Sequence, residues 1–434
     1  PGAPPCAPTH IDMTLTAQTA TRPRVILLMG PATYRAGAFL TAAERLGLDV
    51  VQAIDVPAPL AGEWRVTLGL DFNEPELSAQ QVADFAATHP AAAILAVDDG
   101  ATLVAAMASS RAGLPHNDPE SALAARDKLV MRERLAAGGV PVPAFRPYPL
   151  TSDPALVAAE VPYPCVVKPT RLSGSRGVIR ADSREEFVAA FERTRQMLLA
   201  QRDDPATCLL VEEYIPGVEV ALEGLLTGGE LRVLALFDKP DPLDGPFFEE
   251  TIYVTPSRLP AETQDAIARR TAEAAAALGL REGPVHAELR VNERGVWPIE
   301  LAGRSIGGLC STILEFGAGM SLEELILRHA VGLPLPTTER AGEAVGVMMI
   351  PIPRGGVLKA VDGQHDACRV PGITGLEITA KTNYPIVPLP EGAAYLGFIF
   401  ARGDTPEFVE AALREAHGRL RIRIDPLLSL QRTG

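Results

Sequence analysis

Apolar and polar residues alternate on both sides of a short turn near residue 293. In VHAELRVN (285 to 292) every second residue is apolar, and apolar residues return after the turn at Trp297, Ile299 and Leu301. Alternation with a period of two is typical of β-strands that bury one face. The pattern therefore predicts a β-hairpin.

The register of this hairpin depends on the length of its loop. We expect a three-residue loop of Glu293, Arg294 and Gly295, in which Gly295 takes the left-handed conformation. Such a loop places Asn292 opposite Val296. The other pairs that it predicts are Val291 with Trp297, Leu289 with Ile299, and Glu288 with Glu300.

The first part of the chain alternates between strand-like and helix-like segments. RVILLMG (24 to 30) and LDVVQAI (48 to 54) predict strands, and GAFLTAAERLG (37 to 47) predicts a helix between them. A second helix and strand follow over 79 to 99, so we expect an open parallel sheet within about the first 115 residues. The loop GPATYRAG (30 to 37) lacks the GxGxxG spacing, which favours a substrate-binding or structural role over NAD binding.

The middle of the chain is predicted to contain both helices and strands. Asp118 followed by Pro119 is a typical helix start and Gly138 a typical stop, so we expect one helix over 119 to 137. Strands should follow at 163 to 169, 208 to 215, 218 to 226 and 231 to 237, and further helices at 261 to 278 and 320 to 332.

The pattern changes after about residue 340. VGVMMIPIP (345 to 353) predicts a strand, and the segment 395 to 425 predicts a strand, a helix and another strand. Thr405 followed by Pro406 should begin that helix, and Gly418 should end it. These elements predict a small C-terminal α+β domain.

Composition and charge exclude several classes of protein. The chain has 434 residues, 47% of them hydrophobic, which is enough for several domains with their own cores. Its net charge of −14 argues against a nucleic-acid partner, because a phosphate backbone attracts clustered Lys and Arg. No apolar run reaches the roughly 18 residues of a membrane span, so we expect no membrane contact.

The cysteines and the first residues bear on the cellular compartment. The five cysteines include no CxxC pair, so we expect neither a zinc site nor a disulfide framework, and a cytoplasmic location. Residues 1 to 20 lack the pattern of a signal peptide. The Pro- and Thr-rich segment 1 to 23 is expected to be a flexible lead, with Met13 as a candidate true start.

The two opposed glutamates are the first candidates for chemistry. Like charges that face each other across a hairpin are destabilising, and a divalent cation between them reverses this effect. Mg²⁺ binds carboxylate oxygens and shares them with substrate phosphates. Glu288 and Glu300 therefore predict half of a nucleotide and metal site, with two unrelated acids on a solvated edge as the alternative.

A glycine-containing loop follows Lys168 at the end of an apolar strand. Glycines let backbone N–H groups approach phosphate oxygens, and serine hydroxyls add donors. An ordinary surface turn is the alternative. Lys168 and Lys128 are the natural cations for the phosphates. The loop residues that we expect at the phosphates are Ser173, Gly174, Ser175 and Gly177.

An acidic segment, VEEYIPGVEVALEG (211 to 224), is the candidate for adenosine binding. A carboxylate can accept from the amino group of adenine while the backbone of a strand binds the ring edge. We assign Glu212 to the amino group, Glu213 and Ile215 to backbone contacts, and Glu219 to the ribose hydroxyls. Solvated edge acids are the alternative.

The order of these features resembles the ATP-grasp superfamily over roughly 115 to 330. Within it the chain most resembles the L-amino acid ligases, which include the bacilysin-type dipeptide synthetases and their carnosine-synthase-like relatives. The resemblance implies a protein of mixed α/β and α+β class. The implied parts are a lead (1 to 23), an N-terminal Rossmann-like domain (24 to 115), an ATP-grasp domain (116 to 335) with a lid at about 160 to 215, and a C-terminal α+β domain (336 to 434).

The resemblance also implies roles for individual residues. Glu288 and Glu300 would hold Mg²⁺, with Mn²⁺ as an alternative ion, and Lys128 and Lys168 would hold the phosphates of ATP. Arg304 would steady the acyl phosphate and the tetrahedral oxyanion. Many relatives carry Asn two residues after the second glutamate, but this chain has Ala302. That departure puts full two-metal coordination in doubt and counts against biotin-carboxylase and D-alanine-ligase types.

The substrate residues come from the same resemblance. Glu250 would hold a substrate ammonium and Tyr253 would line the pocket, while a packed lid with solvated acids is the alternative. Gly308, with Gly307, leaves room for a bulky side chain or merely lets the backbone turn. His286 is interpreted as a structural neighbour of the metal glutamates rather than a general base.

These expectations combine into one function. We expect an ATP-dependent ligase that joins a carboxylate to an amine, both from amino acids, through an acyl phosphate. One alternative is a carboxylase or formyl-transfer relative that uses bicarbonate or formate. Another is a regulatory protein that binds ATP without turnover. The oligomeric state stays open, and a homodimer is common in such folds by analogy only.

Overall fold

The computed structural model describes residues 22 to 200 and 208 to 427. Most of the predicted lead over 1 to 23, including Met13, lies outside the described residues. Among the helices of the described part, none is both long and apolar enough to cross a membrane. The four cysteines in that part are free thiols.

The N-terminal part is an open sheet of four parallel strands in the order β3, β2, β1, β4, which confirms the prediction. Its apolar strand residues are buried between helices, and Val25 to Leu28 are completely buried. The elements are β1 (Arg24–Met29), α1 (Ala36–Arg45), β2 (Asp49–Asp55), β3 (Leu68–Leu70), α2 (Pro75–Thr88), β4 (Ala93–Ala96) and α3 (Thr102–Ala112).

The predicted helix over 119 to 137 is wrong in one respect, because two helices occupy this stretch. They are α4 (Pro119–Arg126) and α5 (Lys128–Ala137). Asp127 between them has extended backbone, and its carboxylate accepts from the N–H groups of Leu129 and Val130. Asp127 thus acts as an N-cap in the middle of a helical pattern and begins a second helix at Lys128.

A four-stranded antiparallel sheet follows, in the order β5, β8, β6, β7. Helix α7 packs on its apolar face, where Phe187 and Phe191 are completely buried. The elements are β5 (Phe145–Pro149), α6 (Pro154–Val157), β6 (Cys165–Pro169), β7 (Ile179–Ala181), α7 (Arg184–Ala200) and β8 (Cys208–Glu213).

The largest sheet has eight antiparallel strands, and its first half carries the predicted hairpins. Gly228 and Gly229 connect two of its strands, and helix α8 spans the predicted residues 261 to 278. The elements of this region are β9 (Val218–Thr227), β10 (Glu230–Asp238), β11 (Ile252–Thr255), α8 (Ala261–Leu278), β12 (Gly283–Asn292), β13 (Gly295–Ala302), β14 (Glu315–Phe316), β15 (Met320–Ser321) and α9 (Leu322–Ala330).

The chain after residue 340 extends this sheet, whose order is β13, β12, β9, β10, β11, β16, β20, β18. Thr405 caps helix α11 by accepting from Phe408 N–H, as predicted. The elements are β16 (Ala344–Ile350), β17 (Gly356–Asp362), α10 (Gln364–Cys368), β18 (Ile373–Ile378), β19 (Pro385–Ile386), β20 (Gly397–Gly403), α11 (Pro406–Gly418) and β21 (Arg421–Asp425).

The alternation in β12 positions the functional side chains. Val285, Ala287 and Leu289 are at most 1% exposed and belong to the apolar core that contains α5 and α8. Burying such a side chain contributes roughly 1.5 to 3 kcal/mol, so this face of the hairpin is strongly held against the helices. The opposite face, with His286 and Glu288, lines a cavity.

Candidate active site

A cavity of about 530 Å³ lies between the three larger parts of the protein. Its walls include Asp99, which follows β4, Lys168 on β6 and Glu288 on β12. Every candidate residue except Gly177 lines it: Lys128, Lys168, Ser173, Gly174, Ser175, Glu212, Glu213, Ile215, Glu219, Glu250, Tyr253, Glu288, Glu300 and Arg304.

Glu288 and Glu300 pair directly across β12 and β13, and this predicted pair is confirmed. Directly opposed residues project from the same face of a sheet. Both carboxylates therefore point to the same side, and both residues line the cavity. Two carboxylates with this arrangement are suitable ligands for a hard divalent cation.

The rest of the predicted hairpin register is wrong. Only Glu293 and Arg294 form the loop, because Asn292 pairs with Gly295. The pairs that replace the predicted ones are Val291 with Val296, Arg290 with Trp297, and Leu289 with Pro298.

A β-bulge beside Glu288 explains how the glutamates still meet. The register shifts there by one residue, so Ile299 has no partner on β12. The carbonyl of Ile299 instead accepts a hydrogen bond of 2.7 Å from Arg132. The bulge offsets the shorter loop, and Glu288 returns to a position opposite Glu300.

Lys128 lies next to the metal candidates because α5 begins at this residue. Its backbone N–H donates to Thr170 O, and its Nζ donates to Leu172 O at 2.9 Å and to Glu300 Oε1 at 3.2 Å. The helix break at Asp127 thus anchors the lysine at both its backbone and its side chain. Lys128 connects the glutamate pair to the glycine-containing loop.

Lys168 is held by a buried ion-pair network. Its Nζ lies 2.5 Å from one oxygen of Glu212, and Arg132 Nε lies 2.7 Å from the other. Burial lowers the pKa of Lys168 and the charge of Glu212 raises it only partly, so the pKa is about 8. Both oxygens of Glu212 face cations, which makes this carboxylate the counter-charge of Lys168.

Arg132 was missed in the sequence, although a signal for it was present. It lies four residues after Lys128, a spacing that puts two side chains on one face of a helix. The side chain of Arg132 is completely buried, so its charge requires partners such as Glu212.

The glycine-containing loop adopts the backbone conformation that its composition favours. Gly174, Ser175 and Gly177 have φ values of +64°, +56° and +69°. A side chain at Gly177 would approach Pro169 and Thr194 to 3.2 Å, so this glycine is required for close packing. Gly177 supports the loop from outside, while residues 173 to 175 line the cavity.

The residues assigned to adenosine lie together along β8 and its continuation. Glu213 Oε1 lies 3.0 Å from Arg294, and its N–H donates to Ala144 O. The carbonyl of Ile215 accepts from Arg290 at 2.9 Å. Arg290 was also missed in the sequence, where its position in an alternating strand gave no sign of this contact.

Glu219 lies in a second buried cluster rather than alone on an edge. One of its oxygens accepts from Lys239 at 2.9 Å and the other from Arg290 Nε at 2.8 Å. Carboxylate oxygens of Glu219, Glu250 and Glu288 lie within 4.8 Å of one another. Lys239 pairs with all three acids.

The charges of this cluster shift the pKa values of its carboxyl groups. For Glu288, burial raises the pKa, but the charge of Lys239 and the hydrogen bond from His286 outweigh burial, so the pKa lies below its ordinary value. For Glu250, burial and then the charge of Glu288 raise the pKa to about 7 despite Lys239. Lys239 was not identified from the sequence, because the segment after it lacks the glycine- and serine-containing pattern that follows Lys168.

His286 connects the metal candidates to a buried acid. Its Nδ1 lies 3.1 Å from Glu223 and its Nε2 lies 3.6 Å from Glu288. Burial lowers the pKa of His286, but hydrogen bonds from the imidazole to Glu223 and Glu288 raise it to about 8. The histidine orients Glu288, which agrees with a structural role.

Arg304 forms a bidentate pair with Asp99 from the N-terminal sheet. Its Nε and Nη2 donate to the two carboxylate oxygens at 2.8 and 2.7 Å. Burial lowers the pKa of Arg304, but the charge of Asp99 raises it above the ordinary value, so the guanidinium stays charged. Asp99 was missed in the sequence, although it follows the last parallel strand, β4. Ligands bind open parallel sheets at the carboxyl ends of their strands.

The far end of the cavity is apolar and aromatic. Tyr253 and Tyr395 line it, and Phe398 packs edge-on against Tyr34 with ring centroids 6.0 Å apart. At Gly308, with φ of +60°, a Cβ would come within 3.0 Å of the Phe398 ring. Phe398 therefore already fills the space beside Gly308, and the glycine is required there for close packing, whereas a Cβ at Gly307 would meet nothing within 4 Å.

Ala302 follows the second glutamate on β13 and is 4% exposed. Its side chain offers no oxygen or nitrogen to a metal. The prediction that a cation binds here therefore rests on the carboxylates of Glu288 and Glu300.

Comparisons with known proteins agree with this geometry. Residues 161–313 match a sequence profile of the ATP-grasp domain, and residues 348–425 match that of L-amino acid ligase C-terminal domain 2. An alanine–anticapsin ligase of Bacillus subtilis is 26% identical over 275 residues, which cover 59% of this chain and 58% of the relative. A D-alanine–D-alanine ligase of Aromatoleum aromaticum is 34% identical over 159 residues, covering 36% of this chain and 49% of the relative.

The chain thus spans less than two thirds of the length of each of these curated relatives. Among solved structures, an L-amino acid ligase from Bacillus licheniformis superposes with a TM-score of 0.78 and is 26% identical. That match covers 93% of this chain and 99% of the other. The chain carries an ATP-grasp domain followed by an L-amino acid ligase C-terminal domain.

Proposed function

We propose that this ATP-grasp protein is a carboxylate–amine ligase that forms an amide bond between two amino acids. The observation that carries the proposal is the convergence of opposed Glu288 and Glu300 with Lys128, Lys168 and Arg304 on one cavity. Cations for phosphates, carboxylates for a metal and an arginine for an oxyanion are the groups that acyl-phosphate chemistry needs.

The reaction has two steps whose atoms balance. A carboxylate oxygen of the first amino acid bonds to the γ-phosphorus of ATP, and the bond from that phosphorus to ADP breaks. The amine of the second amino acid then attacks the acyl carbon, loses a proton, and displaces inorganic phosphate. The products are an amide, ADP and phosphate.

Residues of the chain have separate tasks in these steps. Lys168 and Lys128 neutralise phosphate charge, and Arg304 donates to the carboxyl oxygen that becomes negative during amine attack. Glu288 and Glu300 would hold Mg²⁺, which when bound neutralises charge on the phosphates and orients them. Asp99 fixes the orientation of Arg304 through two hydrogen bonds.

The two ends of the cavity favour an amino acid as the carboxylate substrate. Glu250 lies next to the glutamate pair and offers a negative partner for a substrate ammonium. Tyr253, Tyr395 and the open space at Gly307 surround the position of its side chain. The walls at this end are mainly aromatic, so they bind a side chain chiefly by burial.

The proposal is tested with the protein, ATP, Mg²⁺ and pooled amino acids. We expect ADP to form together with new masses that equal two amino acids minus water, measured by mass spectrometry. ADP formation that requires only bicarbonate would instead indicate a carboxylase. ATP binding without ADP formation in any mixture would indicate a regulatory protein.

Glu300→Gln tests the metal assignment. The amide keeps the shape of the side chain but removes one negative charge, so we expect ADP formation to fall at least about 100-fold. Circular dichroism should show an unchanged fold. Glu377→Gln on the exposed part of β18 is the matched control, and turnover retained in Glu300→Gln would contradict the assignment.

A further inference from the structure

The segment 388 to 395 of the C-terminal region contacts both ends of the cavity. It lies between β19 and β20, and two of its residues, Ala393 and Tyr395, line the cavity. On its other side it contacts the glycine-containing loop and helix α7. One short segment therefore joins the nucleotide end to the amino-acid end.

The contact with the glycine-containing loop uses both backbone and side chains. Gly177 N–H donates to Pro390 O at 2.9 Å, and Arg176 Nε donates to Glu391 O at 3.2 Å. Arg193 on α7 forms a bidentate pair with the Glu391 carboxylate at 2.5 and 2.9 Å. This hydrogen bond with Arg193 holds the pKa of Glu391 below its ordinary value, so the pair is charged at neutral pH.

The other end of the segment is fixed in the central sheet. Leu396 N–H donates to Ile350 O at 2.9 Å, and Tyr395 packs against Phe398 with ring centroids 6.3 Å apart. Between the two ends, Gly392 N–H donates to Pro388 O, and a Cβ at Gly392 would come within 1.8 Å of Val387 O. The turn is therefore tight, and it leaves only three residues between Glu391 and Tyr395.

We propose that the segment 388 to 395 is a clasp that closes the glycine-containing loop over the nucleotide when an amino acid side chain packs against Tyr395. Glu391 is its positioning residue, because it holds Arg193 and Arg176 without lining the cavity. The identity of the ligand rests on the proposed ligase function. The clasp would delay phosphoryl transfer until the carboxylate substrate is bound, which protects ATP from hydrolysis.

Hydrogen exchange tests the clasp without relying on catalysis. In Glu391→Arg and in Arg193→Glu, we expect amides of residues 170 to 178 to exchange about tenfold faster than in the unchanged protein. The double variant that swaps the two charges should regain most of the protection. Glu377→Arg, which changes an exposed acid of β18, should leave the loop unchanged.

Two results of this experiment would overturn the clasp. One is loop exchange that is unchanged in both single variants, and the other is a charge-swapped protein that regains no protection. Peptides from β12 and β13 report whether a variant is folded. Should Glu391→Arg disturb them, the milder Glu391→Gln carries the same expectation.

The coupling between an amino acid at Tyr395 and closure of the glycine-containing loop is tested by adding ligands. With a non-hydrolysable ATP analogue present, pooled amino acids should slow exchange of the loop in the unchanged protein but not in Tyr395→Ala. Equal exchange with and without amino acids in the unchanged protein would refute the coupling.

Activity distinguishes this proposal from the ligase function. In Glu391→Gln we expect KM for ATP to rise and the ratio of amide to ADP to fall about tenfold, with both restored in the charge-swapped protein. If the unchanged protein forms no amide, the ligase function fails, and the exchange of residues 170 to 178 still decides whether the clasp exists.

Discussion

Lys168 and Lys239 are two buried lysines at strand ends whose pKa values are shifted in opposite directions. They are 4% and 5% exposed, and each pairs with its own acids: Lys168 with Glu212, and Lys239 with Glu219, Glu250 and Glu288. Burial lowers the pKa of Lys168 to about 8 even with Glu212 beside it. Burial also acts on Lys239, but the charges of Glu219, Glu250 and Glu288 raise its pKa well above the ordinary value.

The difference lies in the local balance of charge. Lys168 shares the single carboxylate of Glu212 with Arg132, so that cluster has an excess of positive charge. The three acids around Lys239 exceed the positive charges of Lys239 and Arg290. This balance of charge favours an anion such as phosphate beside the first cluster, and a cation such as a metal ion or a substrate ammonium beside the second.

Removing Lys239 should produce the largest effect on stability. In Lys239→Met the buried carboxylate of Glu219 and the half-buried ones of Glu250 and Glu288 lose their shared cation, so we expect the free energy of unfolding to fall by about 3 to 5 kcal/mol. Lys168→Met is the matched control, because Glu212 keeps Arg132 and the loss should be smaller. Urea denaturation measures both, and equal losses would refute the difference in charge balance.

Removing Lys168 should affect ATP binding more than stability. A hydrogen bond to a charged group contributes about 1.5 to 3 kcal/mol, so Lys168→Met should weaken ATP binding roughly 10- to 150-fold. Calorimetric titration measures this change. Replacement of the exposed Lys359 on β17, as Lys359→Met, is the control, and an affinity that stays within twofold in Lys168→Met would show that this cluster does not hold phosphate.

The smallest expected effect is the dependence of ATP binding on pH. Lys168 has a pKa of about 8, so the unliganded protein loses this charge as the pH rises above 8 and ATP binding should weaken by up to about tenfold per pH unit. Lys168→Arg stays charged and should show a flat profile between pH 7 and 9. A flat profile in the unchanged protein would contradict the low pKa.

The lowered pKa of Lys168 affects stability in the opposite direction to ATP binding, because it makes the folded protein more stable as the pH rises. Folding lowers the pKa of Lys168 from 10.5 to about 8, so its contribution to stability is fully present above 10.5 and is lost as the pH falls through 8. In urea denaturation, Lys168→Met should remove this part of the pH dependence.

The hairpin shows which features of a strand pair a sequence pattern predicts and which it does not. Alternating apolar residues predicted two strands with Glu288 opposite Glu300, and the pair is confirmed. The loop length was wrong, because nothing in the alternation reveals a bulge at Ile299. A bulge is decided by groups far along the chain, here by Arg132, which donates to the freed carbonyl.

The same limit applies to Asp127. Its helix-capping chemistry is local, but the surrounding pattern is helical, so we predicted a continuous helix. The break is stabilised by contacts with Thr170 and Arg171, which the chain brings together only on folding.

The sequence by itself determined the types of elements, the open parallel sheet, the glutamate pair and most of the charged side chains that line the cavity. These follow from local periodicity, turn chemistry and motif order, which neighbouring residues encode. Only the tertiary structure decided which charges become partners, as in Lys239 with three acids and Arg304 with Asp99. Pairing of this kind depends on distances between remote segments and on burial, and both arise only when the chain is packed.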